Sequence, residues 1–316
     1  MTIVRDSHYI NGEWVKASSS DVFEVMSSGT GELYATVPQG TADEANRAVE
    51  AAAAAFTAWA NTSPKERGEF LQKIATKLGE RSDEIALAIA NEVGMPLALA
   101  KGIQAGLPQI TFADNANRAA EFEWETEVGN SLLVREPAGV VAAITPWNYP
   151  LHQIANKVAA ALAAGCTVVV KPASQTPYSA LALAVLAEQA GVPAGVFNVV
   201  TGWDRSTGER LAGHSGVDKI AFTGSTNTGI AVAKAAIANV NRVTLELGGK
   251  SPQVVFPDAD LDAAANGLVA GVFAAAGQTC MAGSRLIVHE SVRDALVAKV
   301  VARANSIVQG DPTASD

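Results

Sequence analysis

Residues 139–171 read GVVAAITPWNYPLHQIANKVAAALAAGCTVVVK, and this stretch decides the fold. Its two ends, VVAAIT and TVVVK, are short, apolar and rich in β-branched residues, which is typical of buried strands. Between them, LHQIANKVAAALAAG has the apolar spacing of a helix. A strand, a helix and a second strand in this order predict a βαβ unit, in which a helix joins two parallel strands.

The same alternation continues towards the C-terminus. TPYSALALAVLAEQAG is predicted to be a helix with Thr176 as its N-cap and Pro177 at its first position. VFNVVTG, KIAFTG, RVTLELGG and PQVVFP are predicted strands, and TNTGIAVAKAAIA is a predicted helix. The chain is therefore expected to be an α/β protein with a doubly wound parallel sheet covered on both faces. Such sheets bind ligands beyond the carboxyl ends of their strands.

The N-terminal part follows a different pattern. HYINGEWV and FEVMSS alternate and are predicted to form edge strands and a hairpin. A helix is expected from Thr41, whose spacing to Glu44 matches a capping box, to about Ala60. The next helix is expected to start with Ser63 as cap, Pro64 at its first position and Glu66 completing a second capping box. Residues 119–137, acidic and alternating, predict a protruding β-hairpin.

Composition excludes several classes of protein. The chain has 316 residues, of which 48% are hydrophobic and 17% charged, the balance of a globular protein. Its net charge of −9 argues against binding to nucleic acid or to anionic lipid. No apolar run of about 18 residues predicts a membrane span, and no secretory signal is recognised. With only two cysteines, Cys166 and Cys280, a reducing, cytoplasmic location is expected.

Cys280 is the candidate nucleophile. Cysteine is by default a small buried hydrophobe, which is the interpretation given to Cys166 in LAAGCTVVV. Around Cys280, however, GQTCMAG supplies two glycines for a tight turn between a helix and a strand. Backbone N–H groups in such a turn can point at the sulfur and favour its thiolate.

Two polar side chains are candidate partners of this thiol. Glu246 ends the strand of RVTLELGG, directly before two glycines, at the edge where a parallel sheet opens its site. In a dry site beside a thiol a carboxylate has a raised pKa and suits the role of base. Asn148 lies between two prolines in ITPWNYP, where its amide can be fixed towards an oxyanion. The alternatives are a solvated strand face and an ordinary turn.

Two further positions suggest a nucleotide site. Lys171 ends an otherwise apolar strand, where it can either extend to solvent or bind a ribose or phosphate. Gly224 and Ser225, in FTGSTNTG, lie where a strand meets a helix, a natural place for a pyrophosphate. The segment is not the GxGxxG fingerprint and is a weak signal alone.

Together these motifs resemble the aldehyde dehydrogenase superfamily, in its order and over essentially the whole chain. PWNYP, KPAS, the VTG turn, FTGS, LELGGKSP and GQTCMAGSR follow one another, and Glu246 precedes Cys280 by 34 residues. The resemblance implies an aldehyde-dehydrogenase-like fold. Residues 1–118 and 138–247 would form the NAD(P)-binding domain, 119–137 an oligomerisation hairpin, and 248–316 the first part of an incomplete catalytic domain.

The resemblance also implies a reaction, the oxidation of a small-molecule aldehyde to a carboxylic acid. Cys280 would attack the aldehyde to give a thiohemiacetal, and Asn148 with the Cys280 N–H would hold the oxyanion. After hydride transfer to the nicotinamide, Glu246 would activate the water that hydrolyses the thioester.

The cofactor implied by the resemblance is NAD. The residues that would contact it or line its cleft are Pro146, Trp147, Lys171, Ser174, Gly202, Gly224, Ser225, Leu247 and Gly248. Lys157 matches a second lysine of the family. Many NAD-preferring members have glutamate where this chain has Ser174, so a 2′-phosphate would not be repelled and NADP is an alternative cofactor.

The end of the chain, VQGDPTASD, departs from the family, whose members continue further. The sequence therefore leaves a second interpretation open, a truncated and inactive nucleotide-binding remnant. Family members form homo-oligomers, which is an open question for this chain, as is the identity of the aldehyde. A cysteine-dependent acyltransferase or hydrolase would need a histidine partner for Cys280, and none is evident. No metal site is expected, because no His, Cys or Asp cluster has ligand spacing.

Overall fold

The computed structural model describes residues 3–314. Its strands are β1 (Ile3–Val4), β2 (Ser7–Ile10), β3 (Glu13–Lys16), β4 (Val22–Met26), β5 (Leu33–Pro38), β6 (Glu125–Val128), β7 (Ser131–Val134), β8 (Val140–Ile144), β9 (Thr167–Lys171), β10 (Phe197–Val199), β11 (Lys219–Thr223), β12 (Arg242–Glu246), β13 (Pro252–Val255) and β14 (Arg285–Val288). Its α-helices are α1 (Ala42–Asn61), α2 (Pro64–Glu80), α3 (Ser82–Val93), α4 (Leu97–Leu99), α5 (Leu107–Glu121), α6 (Pro150–Ala163), α7 (Tyr178–Gln189), α8 (Ser206–Ala212), α9 (Thr226–Ile237), α10 (Leu261–Phe273) and α11 (Arg293–Asn305).

A seven-stranded sheet in the order β12-β11-β8-β9-β10-β2-β3 forms the centre of the molecule. The five strands from β12 to β10 are parallel, and the antiparallel hairpin β2–β3 extends the sheet at the other edge. Both the parallel α/β architecture and the N-terminal hairpin predicted from the sequence are confirmed.

Strand β8 shows why its sequence is apolar at every position. Val141 and Ala143 belong to the core on one face of the sheet, and Val140 and Ala142 to the core on the other. The first core packs chiefly against α2, α3, α5, α6 and α7, and the second against α1, α8 and α9. Because both faces are covered, the strand carries no polar alternation.

The structure confirms part of the helix capping that the sequence predicted. Thr41 and Glu44 form the full capping box predicted for α1. At α2, Ser63 accepts from the Glu66 N–H and Pro64 occupies the first turn, but no bond from the Glu66 side chain completes a box.

The prediction that Thr176 caps α7 is wrong. The helix begins at Tyr178, and the Thr176 hydroxyl is buried without a hydrogen-bond partner among the described residues. A side-chain oxygen of Glu92 accepts from the Tyr178 N–H at 3.1 Å instead. The carboxyl group of a residue in another helix therefore satisfies a backbone donor that a local cap usually satisfies.

A π-helix at Ala100–Gly106 joins α4 to α5 and had no counterpart among the sequence predictions. It lies just before Pro108. Proline lacks an N–H and its ring clashes with the carbonyl of the residue four positions earlier, here Gln104. The wider helical turn is consistent with that conflict.

Three parts lie outside the seven-stranded sheet. Strands β1, β5 and β4 pair, in that order, into a separate three-stranded sheet. The hairpin β6–β7 confirms the predicted protrusion but is narrower than 119–137, because α5 continues to Glu121. Parallel strands β13 and β14 with α10 and α11 form a small unit around four buried residues, Val255, Ala265, Leu268 and Leu296. The predicted domain boundaries and the oligomerisation role of the hairpin stay predictions. Within residues 3–314, no helix has the length and apolar character needed to cross a bilayer.

Candidate active site

A cleft of about 760 Å³ lies at the carboxyl ends of the parallel strands. The ends of β8, β9 and β11 contribute Ile144, Lys171 and Thr223 to its wall, and the segment after β12 contributes Leu247. The predicted site residues that line it are Pro146, Trp147, Asn148, Lys171, Ser174, Gly224, Ser225, Leu247, Gly248 and Cys280. The sheet thus brings together motifs that are far apart in the sequence.

Cys280 is exposed and lies in the connection between α10 and β14, as the sequence predicted. The backbone before it is strained, because Ala275 and Ala276 have φ values of 51° and 54°. Alanine rarely adopts this left-handed region, whereas Gly277, at φ 78°, does so freely. The turn that carries Cys280 therefore needs contacts with surrounding residues to keep this strained backbone conformation.

Asn148 supplies one of those contacts. Its side-chain Nδ2 donates to the carbonyl oxygen of Gln278 at 2.7 Å, two residues before the thiol. Next to it, the Tyr149 hydroxyl lies 3.1 Å from Thr279 Oγ1. The loop after β8 is in this way tied to the thiol-bearing turn by two consecutive side chains, and one hydrogen of the Asn148 amide remains for another acceptor.

Glu246 lies at the carboxyl end of β12, as predicted, but it is exposed and does not itself line the cleft. The dry surroundings that the sequence argument invoked for this carboxylate are therefore absent. Its strand neighbour in register is Thr223, whose hydroxyl accepts from Lys157 Nζ at 2.6 Å. Burial lowers the pKa of Lys157 to about 8, against the opposing charge of Glu246.

Lys171 does not extend to solvent. The side chain is buried, and its Nζ donates to the carbonyl oxygen of Gly202 at 3.0 Å. Burial lowers the pKa of Lys171 to about 8, partly offset by the charge of Asp204. Gly202, predicted as a cofactor contact, is not among the residues that line the cleft, and its carbonyl oxygen accepts from this lysine. The Lys171 Nζ keeps hydrogens for a further acceptor.

The Lys171 end of the cleft carries mixed charge. Asp204 and Arg205 line it together with Ser174, whose hydroxyl donates to Gln175 Oε1 at 3.2 Å. At the start of α9, Ser225 caps the helix by accepting from the Thr228 N–H, and the Gly224 N–H donates to Glu246 O. No carboxylate occupies position 174.

Several site residues were not found by sequence reasoning. Gln104, Tyr149, Thr223, Gln278 and Thr279 all support or line the cleft. Gln278 and Thr279 adjoin the candidate thiol, and Tyr149 adjoins Asn148, so proximity in sequence was a usable signal for them. Thr223 is the polar residue at the end of the strand KIAFT, so its place at a strand's carboxyl end was a usable signal as well. Gln104 acts through tertiary contacts and carried no local signal.

Residues 3–314 contain no group of three or more His, Cys, Asp or Glu side chains arranged to hold a metal ion. His152, the histidine nearest to Asn148 in sequence, bonds through Nε2 to Asn156 and not to Cys280.

Comparison with known proteins gives the class. The sequence model of the Aldehyde dehydrogenase family matches residues 14–316. The chain belongs to the aldehyde dehydrogenase family, as its motifs indicated.

Individual relatives support this assignment. Glutarate-semialdehyde dehydrogenase of Pseudomonas putida is 42% identical over 319 residues, and the NADP(+) succinate-semialdehyde dehydrogenase GabD of Escherichia coli is 41% identical over 324 residues. In each case the match covers 98% of this chain and 65% of the relative. The chain thus spans about two thirds of the length of these relatives.

Solved structures agree. Aldehyde dehydrogenase C of Pseudomonas syringae, a variant in complex with NAD+ and octanal, superposes with a TM-score of 0.96 at 41% identity, over 98% of this chain and 64% of that one. An NAD-dependent aldehyde dehydrogenase from Sinorhizobium meliloti gives a TM-score of 0.95 at 41% identity, over 99% and 63%.

Proposed function

We propose that this chain carries the cofactor cleft and the nucleophile of an NAD(P)-dependent aldehyde dehydrogenase, which oxidises an aldehyde to a carboxylic acid. The observation that carries the proposal is that Cys280, Asn148 and Lys171 line one cleft at the carboxyl edge of a parallel sheet. Its volume of about 760 Å³ suits a ligand larger than an aldehyde alone.

A dinucleotide fits the residues of this cleft. Lys171 Nζ has donors left after its bond to Gly202 O and can bind a ribose or a phosphate. The amino-terminal end of α9, beside Gly224 and Ser225, favours an anion such as a pyrophosphate. Trp147 and Pro146 line the end near the thiol. When bound, the nicotinamide supplies a hydride acceptor.

In the proposed reaction the Cys280 thiolate adds to the aldehyde carbon, and the carbonyl oxygen becomes an oxyanion. The free hydrogen of the Asn148 amide and the Cys280 N–H stabilise that oxyanion. Loss of hydride from the same carbon leaves a thioester on Cys280. Glu246 then takes a proton from water, whose oxygen adds to the thioester, and departure of the thiolate releases the carboxylic acid.

Both NAD and NADP are proposed as cofactors. Ser174 is neutral, and Arg205 lines the same end of the cleft. A 2′-phosphate would meet no carboxylate at position 174, so it would not be repelled there. The E. coli relative GabD is described as NADP(+)-dependent, and the P. syringae structure contains NAD+.

A second candidate function is nucleotide binding without turnover. The exposure of both Cys280 and Glu246 favours it, because water surrounds the groups that the reaction needs in a dry site. In that case the chain would bind the dinucleotide and release no acid.

The deciding experiment measures absorbance of reduced nicotinamide. The chain is mixed with octanal or succinate semialdehyde, and with NAD or NADP, beside a Cys280→Ala variant. We expect reduction that disappears in the variant, with both cofactors active. Calorimetric binding of NAD or NADP without reduction would instead support the second candidate, and absence of both would overturn the first and the second.

A further inference from the structure

Gln104 has a fully buried side chain whose amide contacts the Asn148 loop at two points. Its Nε2 donates to the carbonyl oxygen of Asn148 at 3.3 Å. Its Oε1 accepts from the N–H of His152, in the first turn of α6, at 3.4 Å. The glutamine therefore spans the segment that begins with the candidate oxyanion-binding residue and ends inside the following helix.

Gln104 lies within the π-helix Ala100–Gly106, four residues before Pro108. Such π-turns are rare and occur often at functional sites. A buried amide is stable only when its hydrogen bonds are made, so the positions of Gln104 and of the Asn148 loop stabilise each other.

We propose that Gln104 is a positioning residue, which holds the Asn148 amide in the orientation that receives the oxyanion formed at Cys280. The inference rests on the proposed function and deepens it. Gln104 holds the backbone of Asn148 through a hydrogen bond to its carbonyl oxygen. The side chain of Asn148 in turn donates to the carbonyl oxygen of Gln278, two residues before Cys280. Stabilisation of an oxyanion depends steeply on donor geometry, and a misplacement of about 1 Å can cost about 100-fold in rate.

The test separates oxyanion stabilisation from thiol reactivity. With p-nitrophenyl acetate, the Cys280 thiolate adds to the ester carbonyl, an oxyanion forms, and p-nitrophenolate leaves an acetyl thioester behind. With iodoacetamide, the thiolate displaces iodide and no oxyanion forms. Both rates are measured for the wild-type chain, Gln104→Met, Asn148→Ala and the double variant that carries both changes. Cys280→Ala gives the background from other groups.

We expect Gln104→Met, which keeps the length of the side chain and removes its hydrogen bonds, to slow acylation by about tenfold and leave alkylation within about twofold. Asn148→Ala should slow acylation by about 100-fold. The double variant should be no slower than Asn148→Ala alone, because both changes act through one amide.

Two outcomes overturn different statements. If Asn148→Ala is acylated as fast as wild type, Asn148 binds no oxyanion, and the proposed function fails together with this inference. If Asn148→Ala is slow but Gln104→Met is as fast as wild type, only the role of Gln104 is overturned.

Gln104→Glu tests the same contact should Gln104→Met fail to fold, as judged by circular dichroism. A protonated carboxyl can donate to Asn148 O, whereas a carboxylate cannot. The acylation rate divided by the alkylation rate should then fall with rising pH, relative to wild type. A ratio that stays parallel to wild type at all pH values would overturn the proposal.

Discussion

Burial acts on individual ionisable residues in opposite directions. It lowers the pKa of His8 to about 4 and raises the pKa of Glu92 to about 8. In both cases the low-dielectric interior disfavours the charged form. Glu92 accepts one bond from the Tyr178 N–H, and its other oxygen has no partner among the described residues. The neutral carboxyl is therefore the form that the fold accommodates near neutral pH.

Glu92→Gln is predicted to stabilise the chain relative to wild type as the pH rises. The folded pKa of Glu92 lies above the unfolded one, so folding keeps a proton that the unfolded chain has already lost, and the wild type loses stability between pH 6 and 8. Contributions from His8, Lys157 and Lys171 are common to both proteins and cancel. Between pH 6 and pH 8, the unfolding free energy of Glu92→Gln minus that of wild type should increase by about 2 kcal/mol.

Urea unfolding at pH 6 and pH 8 measures this difference. Glu66→Gln, at an exposed position, serves as the control and should show no such movement. A Glu92→Gln variant whose stability stays parallel to wild type would contradict the assigned burial of the carboxyl.

Val240 is a strained residue on the surface. It has φ 58° and is 90% exposed, just after the end of α9. Left-handed geometry costs an L-residue roughly 1–2 kcal/mol, and glycine is the residue usually found at such helix ends. Val240→Gly should raise the unfolding free energy by about 1 kcal/mol, less the entropy that glycine adds to the unfolded chain.

Chemical denaturation of Val240→Gly and Val240→Ala distinguishes strain from lost side-chain contacts. Alanine keeps a Cβ and should recover little of the energy. Equal stabilities for the two variants would show that backbone strain is not the cause.

At the scale of elements, the sequence identified those whose signals are local. Strand β8 is apolar at every position and β9 at its three central valines, because each strand has a core on both sides. The capping box at Thr41 is complete within four residues. The prediction of Thr176 as a cap was wrong because the Tyr178 N–H donates to Glu92, which lies 86 residues before Tyr178 in the chain. Pro108 indicates in the sequence that a helical turn is disturbed, but it does not specify that the disturbance takes the form of a π-helix.

The candidate site also contains residues that the sequence identified and features that only the fold reveals. Cys280, Asn148 and Lys171 were identified from motifs, and the structure brings them into one cleft. The burial of Lys171 and the exposure of Glu246 could not be predicted, because each depends on what packs against a strand end. Gln104 is separated from Asn148 by 44 residues, so only the fold reveals their contact.

Gly139→Ala is predicted to disrupt the start of β8. A Cβ at this position would lie 2.0 Å from Asp218 Oδ2, and the φ of 117° already excludes most side chains. Asp218 Oδ2 accepts from the Val140 N–H at 2.8 Å, so moving the carboxylate breaks the bond that orders the strand. The clash and the backbone strain together should cost about 3–4 kcal/mol.

Gly31→Ala is the matched control for Gly139→Ala. Its φ is 70°, and a Cβ there meets no atom within 4 Å, so it carries the backbone strain without the clash. A loss of about 1 kcal/mol is expected from thermal or urea unfolding. Similar losses of stability in both variants would mean that the Asp218 side chain moves aside without an energetic cost.

The buried side chains of the whole molecule are unevenly distributed. Two large cores cover the two faces of the seven-stranded sheet, whereas the unit formed by β13, β14, α10 and α11 has four buried apolar residues at its centre. Large hydrophobic side chains of this unit, such as Phe256 and Ile287, are more than half exposed. Stability within a chain follows the local density of buried contacts, so the two parts should open with different free energies.

Hydrogen exchange should therefore show faster opening of α10 and α11 than of β8 and β9. Leu296→Ala empties the centre of the small unit and should cost about 2–4 kcal/mol there, so that protection is lost from α10, α11, β13 and β14 only. Leu162→Ala, equally buried in the main core, should lower protection throughout the molecule, because opening of the sheet is the global transition. Mass spectrometry of exchanged peptides resolves the two patterns. If Leu296→Ala lowers the protection of β8 and β9 as much as that of α11, the molecule opens as one cooperative unit, and the thiol-bearing turn is as stable as the sheet to which Asn148 ties it.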